Sequence, residues 1–252
     1  VLLKRGLDVR LTDLDADAVA TAAAALGPRA SGSALDVRDE DACRGAAREV
    51  AGAERAPAVW VNNAGVLTTG PVWEQDAETR ERLFAINTLG TINGTLAALE
   101  LMRPLGRGHI INVVSLAGLG TPPGEALYAA TKHAAISFTL GTLADLRAAG
   151  EDRIQLSALC PDGIWTPMLY DKLDDPAAAP SFSGKLLQPE QVAAKVGELL
   201  DRPRAVLAVP RSRGVAVRLF DAMPTLAARS TRLWLADARR RQARWRRKLG
   251  GD

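Results

Sequence analysis

The sequence predicts an α/β protein built on one doubly wound parallel sheet. Two observations carry this. Short apolar segments of strand character alternate with longer segments of helical periodicity along the chain. The strand segments are also apolar on consecutive residues, as expected of strands covered on both faces. No internal repeat competes with this reading. The 252 residues are enough for a substantial core, and a 47% hydrophobic and 24% charged composition is that of a soluble globular chain. Aromatics are scarce at 4%, so the core must be aliphatic.

In order, residues 7–13 read as a strand and 16–26 as an Ala-rich helix. Residues 30–37 and 39–53 repeat the pair. Strand 58–62 is followed by a long helix near 76–103, strand 108–115 by a helix near 125–149, and strand 153–160 by a helix near 188–201. Strand 205–209 closes the series. Residues 174–184, rich in Pro, Ala and Ser, read as a mobile loop. From 214 to 252 the chain leaves the alternation. Val215, Val217, Leu219, Phe220, Met223, Leu226, Leu233, Trp234 and Leu235 mix there with Arg239, Arg240, Arg241, Arg244, Arg246, Arg247 and Lys248. We therefore divide the chain into a main domain, 1–213, and a basic amphipathic extension, 214–252. That extension reads as a solvated helix, as a tail packed on a partner subunit of a homo-oligomer, or as a peripheral contact with an anionic membrane surface.

Several functions are set aside at this level. The formal charge is only +3, and no nucleic-acid reading module accompanies the basic tail. Cys43 and Cys160 are too few for a disulfide framework and read as buried free thiols; His109 and His133 do not make a metal site. No signal peptide is evident, and no apolar run approaches the ~20 residues that span a bilayer, so the cytoplasm is the expected location, with membrane association through the tail as the variant.

The chemistry concentrates between residues 62 and 132. Asn62-Asn63-Ala64-Gly65 closes a strand, and glycine there permits close approach of backbone to a ligand. Tyr128 and Lys132 are four apart on a helical pattern, which puts phenol and ammonium on one face. A free phenol, with a pKa of about 10, is a poor base near neutrality; a cation held beside it favours the phenolate. Ser115 ends an apolar strand. Ligands in doubly wound sheets bind beyond the carboxyl ends of strands, where Ser115 and the Asn-Asn-Ala-Gly turn both fall. Taken singly, the same residues read as a packed ring, a solvated amine and a capping serine.

Together and in order, these residues resemble the short-chain dehydrogenase/reductase family over nearly the whole chain. Asn62-Asn63-Ala64-Gly65 is similar to its NNAG motif, Ser115 with Tyr128 and Lys132 to its Ser and YxxxK signature, and Asn87 within Phe84-Ala85-Ile86-Asn87 to its fourth catalytic residue. The resemblance implies a Rossmann-type sheet and an oxidoreductase moving hydride between a nicotinamide cofactor and an alcohol or ketone. It implies that Tyr128 exchanges the proton, Ser115 orients the substrate oxygen, Lys132 holds the nicotinamide ribose and lowers the Tyr128 pKa, and Asn87 holds a water of the proton relay. Asn63, Ala64 and Gly65 would line the cofactor. Asp36-Val37 resembles the adenine-contacting pair, with a strand-end turn as the plainer reading. Asp13 ends the first strand, where a carboxylate accepts from both adenosine ribose hydroxyls and repels a 2′-phosphate, so NAD is expected over NADP; Asp13 is also placed to cap a helix.

Two departures qualify the resemblance. Pro161-Asp162-Gly163-Ile164-Trp165-Thr166 resembles the PGxVxT stretch, with Pro161, Ile164 and Thr166 toward the cofactor, but Asp162 stands where the family has glycine. The sequence opens Val1-Leu2-Leu3-Lys4-Arg5-Gly6, which matches the end of the family's first helix, so the first strand and its TGxxxGxG turn are absent. That turn offers backbone N–H groups to a pyrophosphate. Its strand would lie between 7–13 and 58–62, and its loss would leave those two about 9–10 Å apart. We expect an N-terminal truncation or a gene model begun too late, and no tight NAD binding if the native chain begins at Val1. A non-catalytic binding or scaffold protein that keeps the fold is the rival reading. The substrate itself is expected to be apolar, from the content of 116–126 and 164–186.

Overall fold

The computed structural model describes residues 1–51 and 56–249. The last two residues of the expected helix 39–53 and the last three of the expected extension lie outside the described residues. The elements run β1 (Val9–Asp13), α1 (Ala16–Leu26), β2 (Ala30–Ala34), α2 (Glu40–Ala51), β3 (Val59–Asn62), α3 (Ala77–Phe84), α4 (Gly90–Leu105), β4 (Gly108–Val113), α5 (Ala126–Ala148), β5 (Ile154–Pro161), α6 (Pro167–Tyr170), α7 (Pro189–Asp201), β6 (Val206–Val209), α8 (Arg211–Asp221) and α9 (Pro224–Leu249).

All ladders are parallel. β3, β4, β5 and β6 form one sheet in that order, while β1 and β2 pair with each other as a separate two-stranded sheet. Among the described residues no ladder joins β1 to β3. Side chains join the two sheets instead. Leu35, Cys43 and Ala47 from the β2–α2 unit pack on Ala97 of α4, with Val37, Trp60 and Leu101 around them. Gly90 permits this, because a Cβ there would stand 2.6 Å from Val37 Cγ2.

Local chemistry explains the element boundaries. Asp15 caps α1 by accepting from the N–H groups of Asp17 (3.0 Å) and Ala18 (2.9 Å). Strand β2 stops at Ala34 rather than continuing to 37, since Asp36 accepts from the Arg38 N–H (3.0 Å) and turns the chain. The expected single helix near 76–103 is two helices joined by a π turn over Ala85–Leu89. The strand expected over 108–115 ends at Val113, and the Ser115 hydroxyl then accepts from the Ala117 N–H (3.1 Å) to begin a short 3-10 turn.

The larger sheet holds a chain of polar side chains, buried at Asn112 and Thr139 and part-buried at Trp60 and Asn62. The neighbouring residues Asn62 of β3 and Asn112 of β4 are in register, and Asn62 Nδ2 donates to Asn112 Oδ1 at 2.8 Å. Trp60 Nε1 donates to Asn62 Oδ1 (2.8 Å), and Asn112 Nδ2 donates to Thr139 Oγ1 on α5 (2.8 Å). His109 is buried with Nε2 against Ser157 Oγ at 2.8 Å, and burial pushes its imidazole down to about 4. The Cys43 and Cys160 thiols are free and buried. Among the described residues, no helix is long and apolar enough to cross a membrane.

The segment read as a mobile loop is folded. Pro176–Phe182 is a 3-10 helix begun by Asp175, whose carboxylate accepts from the Ala177 N–H at 2.9 Å. Ala178, Ala179 and Phe182 are fully buried there with Leu169 and Leu186. Small side chains let the turn lie flat under α9. Gln242 of α9 donates to the Asp175 carbonyl (2.7 Å), and Trp245 stacks on Trp165 with centroids 5.7 Å apart. The division placed at 213/214 falls inside α8. Phe182→Ala should destabilise the fold by about 3–5 kcal/mol, the usual cost of emptying a buried aromatic site. A denaturant midpoint unchanged from wild type would show that this segment is not packed in solution.

Candidate active site

Parallel strands put the carboxyl ends of β3, β4 and β5 on one edge of the sheet, and the first turns of α5 close over it. Glycines let these pieces meet. A Cβ on Gly118 would lie 2.9 Å from the Lys132 carbonyl oxygen and 2.9 Å from Ile136 Cδ1, so the turn after Ser115 can rest directly on α5. A Cβ on Gly65 would lie 3.2 Å from Asn87 Oδ1 and 3.3 Å from Lys132 Nζ. Backbone without a side chain therefore faces the ammonium, an arrangement that leaves room for a ligand.

Lys132 Nζ stands 5.6 Å from the centroid of the Tyr128 ring, and both residues line one cavity of about 640 Å3 with Ser115. The ammonium is buried, no carboxylate acts on it, and burial pushes it down to about 8. Burial also raises the Tyr128 phenol, with the Ser115 hydroxyl opposing that shift and Glu125 adding to it. The phenol is thus raised rather than lowered in the protein alone, because withdrawal from water disfavours the charged forms of both groups. A bound cation beside the phenol would work in the opposite direction.

Asn87 lies behind this wall, fully buried, on the π turn. Its Oδ1 accepts from the Val66 N–H (2.8 Å), and its Nδ2 donates to the Val66 carbonyl (2.9 Å) and to Thr131 Oγ1 (3.1 Å). The amide is used up in fixing the stretch after Asn63-Ala64-Gly65 against α5. π turns recur at functional sites, and this one sets the Asn87 side chain.

Of the other residues singled out from sequence, Asn63, Gly65, Pro161, Ile164 and Thr166 line the same cavity. Ala64 is exposed between two of them. Asp13, Asp36 and Val37 do not line it; they lie at the carboxyl ends of β1 and β2. Asp13 is exposed and accepts from the Asp15 N–H at 3.1 Å, while Asp36 is held by Arg38, which keeps its carboxyl below the usual range. Val37 packs on α4, and its carbonyl accepts from Asn93 Nδ2 (3.0 Å).

Sequence reasoning missed three features. Asp162, in the family's glycine position, is paired inside the protein with Arg213 of α8 (2.5 Å), and Arg213 also donates to Ser183. The second is the roof. Ala216, Val217, Phe220, Ala227, Thr231 and Trp234 of α8 and α9 line the cavity, so apolar residues of the basic segment face the site. The third is Glu125, buried one turn before Tyr128, with Oε1 accepting from Ser181 Oγ at 2.6 Å. Burial pushes its carboxyl up to about 7. No sequence signal marks Glu125, whereas the apolar residues of α8 are visible in the sequence but were expected to face solvent, a partner subunit or a membrane surface rather than this cavity.

A phenol and an ammonium thus lie on the same helix, beside the carboxyl ends of parallel strands. Residues 1–177 match the family model described as short chain dehydrogenase, and the chain belongs to that family. It is a short-chain NAD(P)-dependent dehydrogenase/reductase, whose substrates are small alcohols or carbonyl compounds. It is 35% identical over 205 residues to a cyclopentanol dehydrogenase from Comamonas sp. (strain NCIMB 9872), covering 78% of this chain and 80% of that protein. Among solved structures it resembles a short chain dehydrogenase/reductase from Burkholderia phymatum in complex with NAD. The TM-score is 0.77 at 26% identity, over 90% of this chain and 89% of that one. A gluconate 5-dehydrogenase from Burkholderia cenocepacia J2315 in complex with NADP and tartrate gives 0.70 at 26% identity, over 80% of this chain and 83% of that one.

Glu125 makes a testable contribution to stability. Its carboxyl is raised from 4.5 to about 7 in the fold, so between these values the folded chain holds a proton that the unfolded chain has lost. The contribution is present below the lower value and is lost as pH rises through the upper one. Glu125→Gln removes the slope, and its stability relative to wild type should rise by up to about 3 kcal/mol across that window. A flat difference in urea midpoint against pH would show that Glu125 titrates normally.

Proposed function

We propose that the chain moves hydride between NAD(H) and an apolar secondary alcohol or its ketone, with Tyr128 as the acid/base. The observation that carries this is Tyr128 and buried Lys132 lining one cavity with Ser115. The cofactor supplies a nicotinamide ring that accepts or donates the hydride. The residues fit such a group: the Lys132 ammonium has no carboxylate partner, and the side-chain-free backbone of Gly65 faces it.

In alcohol oxidation, the substrate O–H donates its proton to the Tyr128 oxygen, which must be phenolate at that moment. Lys132, as ammonium, stabilises the phenolate and holds ribose hydroxyls. Ser115 keeps the substrate oxygen in line with the phenol. In reduction the same proton returns from Tyr128 to the forming alkoxide. Asn87 takes a positioning role here, because its amide already holds Val66 and Thr131. Asn63, Ala64, Pro161, Ile164 and Thr166 border the nicotinamide half, and Asp36 and Val37 the adenine.

The preference for NAD rests on Asp13. Its carboxylate is exposed at the end of β1, and Arg38, a cation that would suit a 2′-phosphate, is held by Asp36. The substrate side is supported by Val66, Leu116, Met168, Val217 and Phe220 along the cavity, and by the cyclopentanol dehydrogenase among its relatives.

Tyr128→Phe should lower turnover at least ~100-fold while leaving NAD affinity by calorimetry nearly unchanged; retained turnover sinks the mechanism. Asp13→Ser should move the ratio of kcat/KM for NAD over NADP toward NADP. An unmoved ratio would place the choice of cofactor elsewhere.

A further inference from the structure

Glu125 is a buried acid in the cavity that hydride transfer leaves unused. It lines the cavity, is 3% exposed, and immediately precedes α5 without capping it. Oε1 accepts from the Ser181 hydroxyl, and the Ser181 backbone N–H also acts on the carboxyl. No cation offsets it. The charged groups that act on it are Asp162 and Asp175, both acids, and Arg213 is held by Asp162. Burying a carboxyl group whose donors all come from one neutral residue is costly. A tie between α5 and the 3-10 segment needs only a hydroxyl or an amide at this position. A carboxyl that lines the cavity with Tyr128, in an otherwise largely apolar wall, suits a ligand that brings a donor of its own. The surrounding acids exclude an anion from that role.

Glu125 lines the same cavity three residues before Tyr128 and acts on its phenol, so a small substrate with its reacting oxygen on Tyr128 and Ser115 can bring one more polar group to it. We propose that Glu125 is a specificity residue that accepts a hydrogen bond from a second hydroxyl of the substrate, making diols and hydroxy-ketones preferred over the matching monohydric alcohols. This rests on the hydride-transfer reading above, with the substrate class narrowed.

The test compares kcat/KM for cyclopentanol with those for cis- and trans-cyclopentane-1,2-diol and cyclopentane-1,3-diol, in wild type, Glu125→Gln and Glu125→Ala. Wild type should favour at least one diol by about tenfold or more, the yield of a hydrogen bond to a charged or strongly polar acceptor. The Ala variant should bring the ratio near one. The Gln variant, which keeps an acceptor and the bond from Ser181, should fall between and controls for folding. A wild-type ratio near one, or a diol preference that survives in the Ala variant, overturns the proposal. Thermal shift with the same diols separates it from the hydride reading. If no alcohol is turned over yet a diol raises the melting temperature of wild type and not of Glu125→Ala, Glu125 keeps its role and hydride transfer fails. With neither turnover nor shift, both fail.

Discussion

The site depends on the polar chain that runs through the centre of the larger sheet. Asn62 and Asn112 sit side by side on β3 and β4, and their amides pass the chain from Trp60 to Thr139 on α5. From α4, Thr95 Oγ1 accepts from Asn62 Nδ2 at 3.0 Å. Helix α4 comes this close because Gly94 has no side chain; a Cβ there would stand 2.0 Å from Asn62 Oδ1. A buried polar network of this kind is worth having only when every member is satisfied. When it is, it permits one register of β3 on β4 and one depth of α4 and α5 on the sheet. Both helices continue toward the cavity, α5 with Tyr128 and Lys132 and α4 through the π turn with Asn87. The relative placement of phenol, ammonium and strand ends is inherited from these amide contacts a few residues below.

Burial then decides the electrostatics. Phenol, ammonium and carboxyl are all driven toward their neutral forms by the same withdrawal from water. Such a site is held away from its working charge state until something charged enters, which couples proton handling to occupancy. The low-dielectric wall that raises Tyr128 also strengthens each remaining interaction with a bound cation.

Much of this was legible in the sequence, and the rest has identifiable reasons for being hidden. Strand and helix alternation is a direct imprint of two-sided burial, so the described strands fall within a few residues of where apolar runs place them. Asn63, Gly65, Ser115, Tyr128 and Lys132 meet at one cavity because they sit at strand ends and on one helix face, both readable from spacing. The segment 176–182 was misread because Pro, Ala and Ser are as suited to a tight buried 3-10 turn as to a loop. The π turn has no compositional mark. Glu125 was passed over since a charged letter does not disclose its burial, and Asn62 was taken with its motif although its amide serves the sheet. Helices α8 and α9 carry an apolar stripe that fits any apolar surface, and sequence does not say which.

The match to the family model stops at residue 177, whereas the roof begins at Arg211. Tyr128 and Lys132 and the roof of the cavity therefore come from different stretches of the chain. They are joined by the Asp162–Arg213 pair, which stitches the turn after β5 to α8, and by the contacts of Gln242 and Trp245 with Asp175 and Trp165. In this sense the roof can be rewritten to admit a new molecule without touching the groups beneath it, provided these joins are kept, and the aspartate in place of the family's glycine supplies one of them.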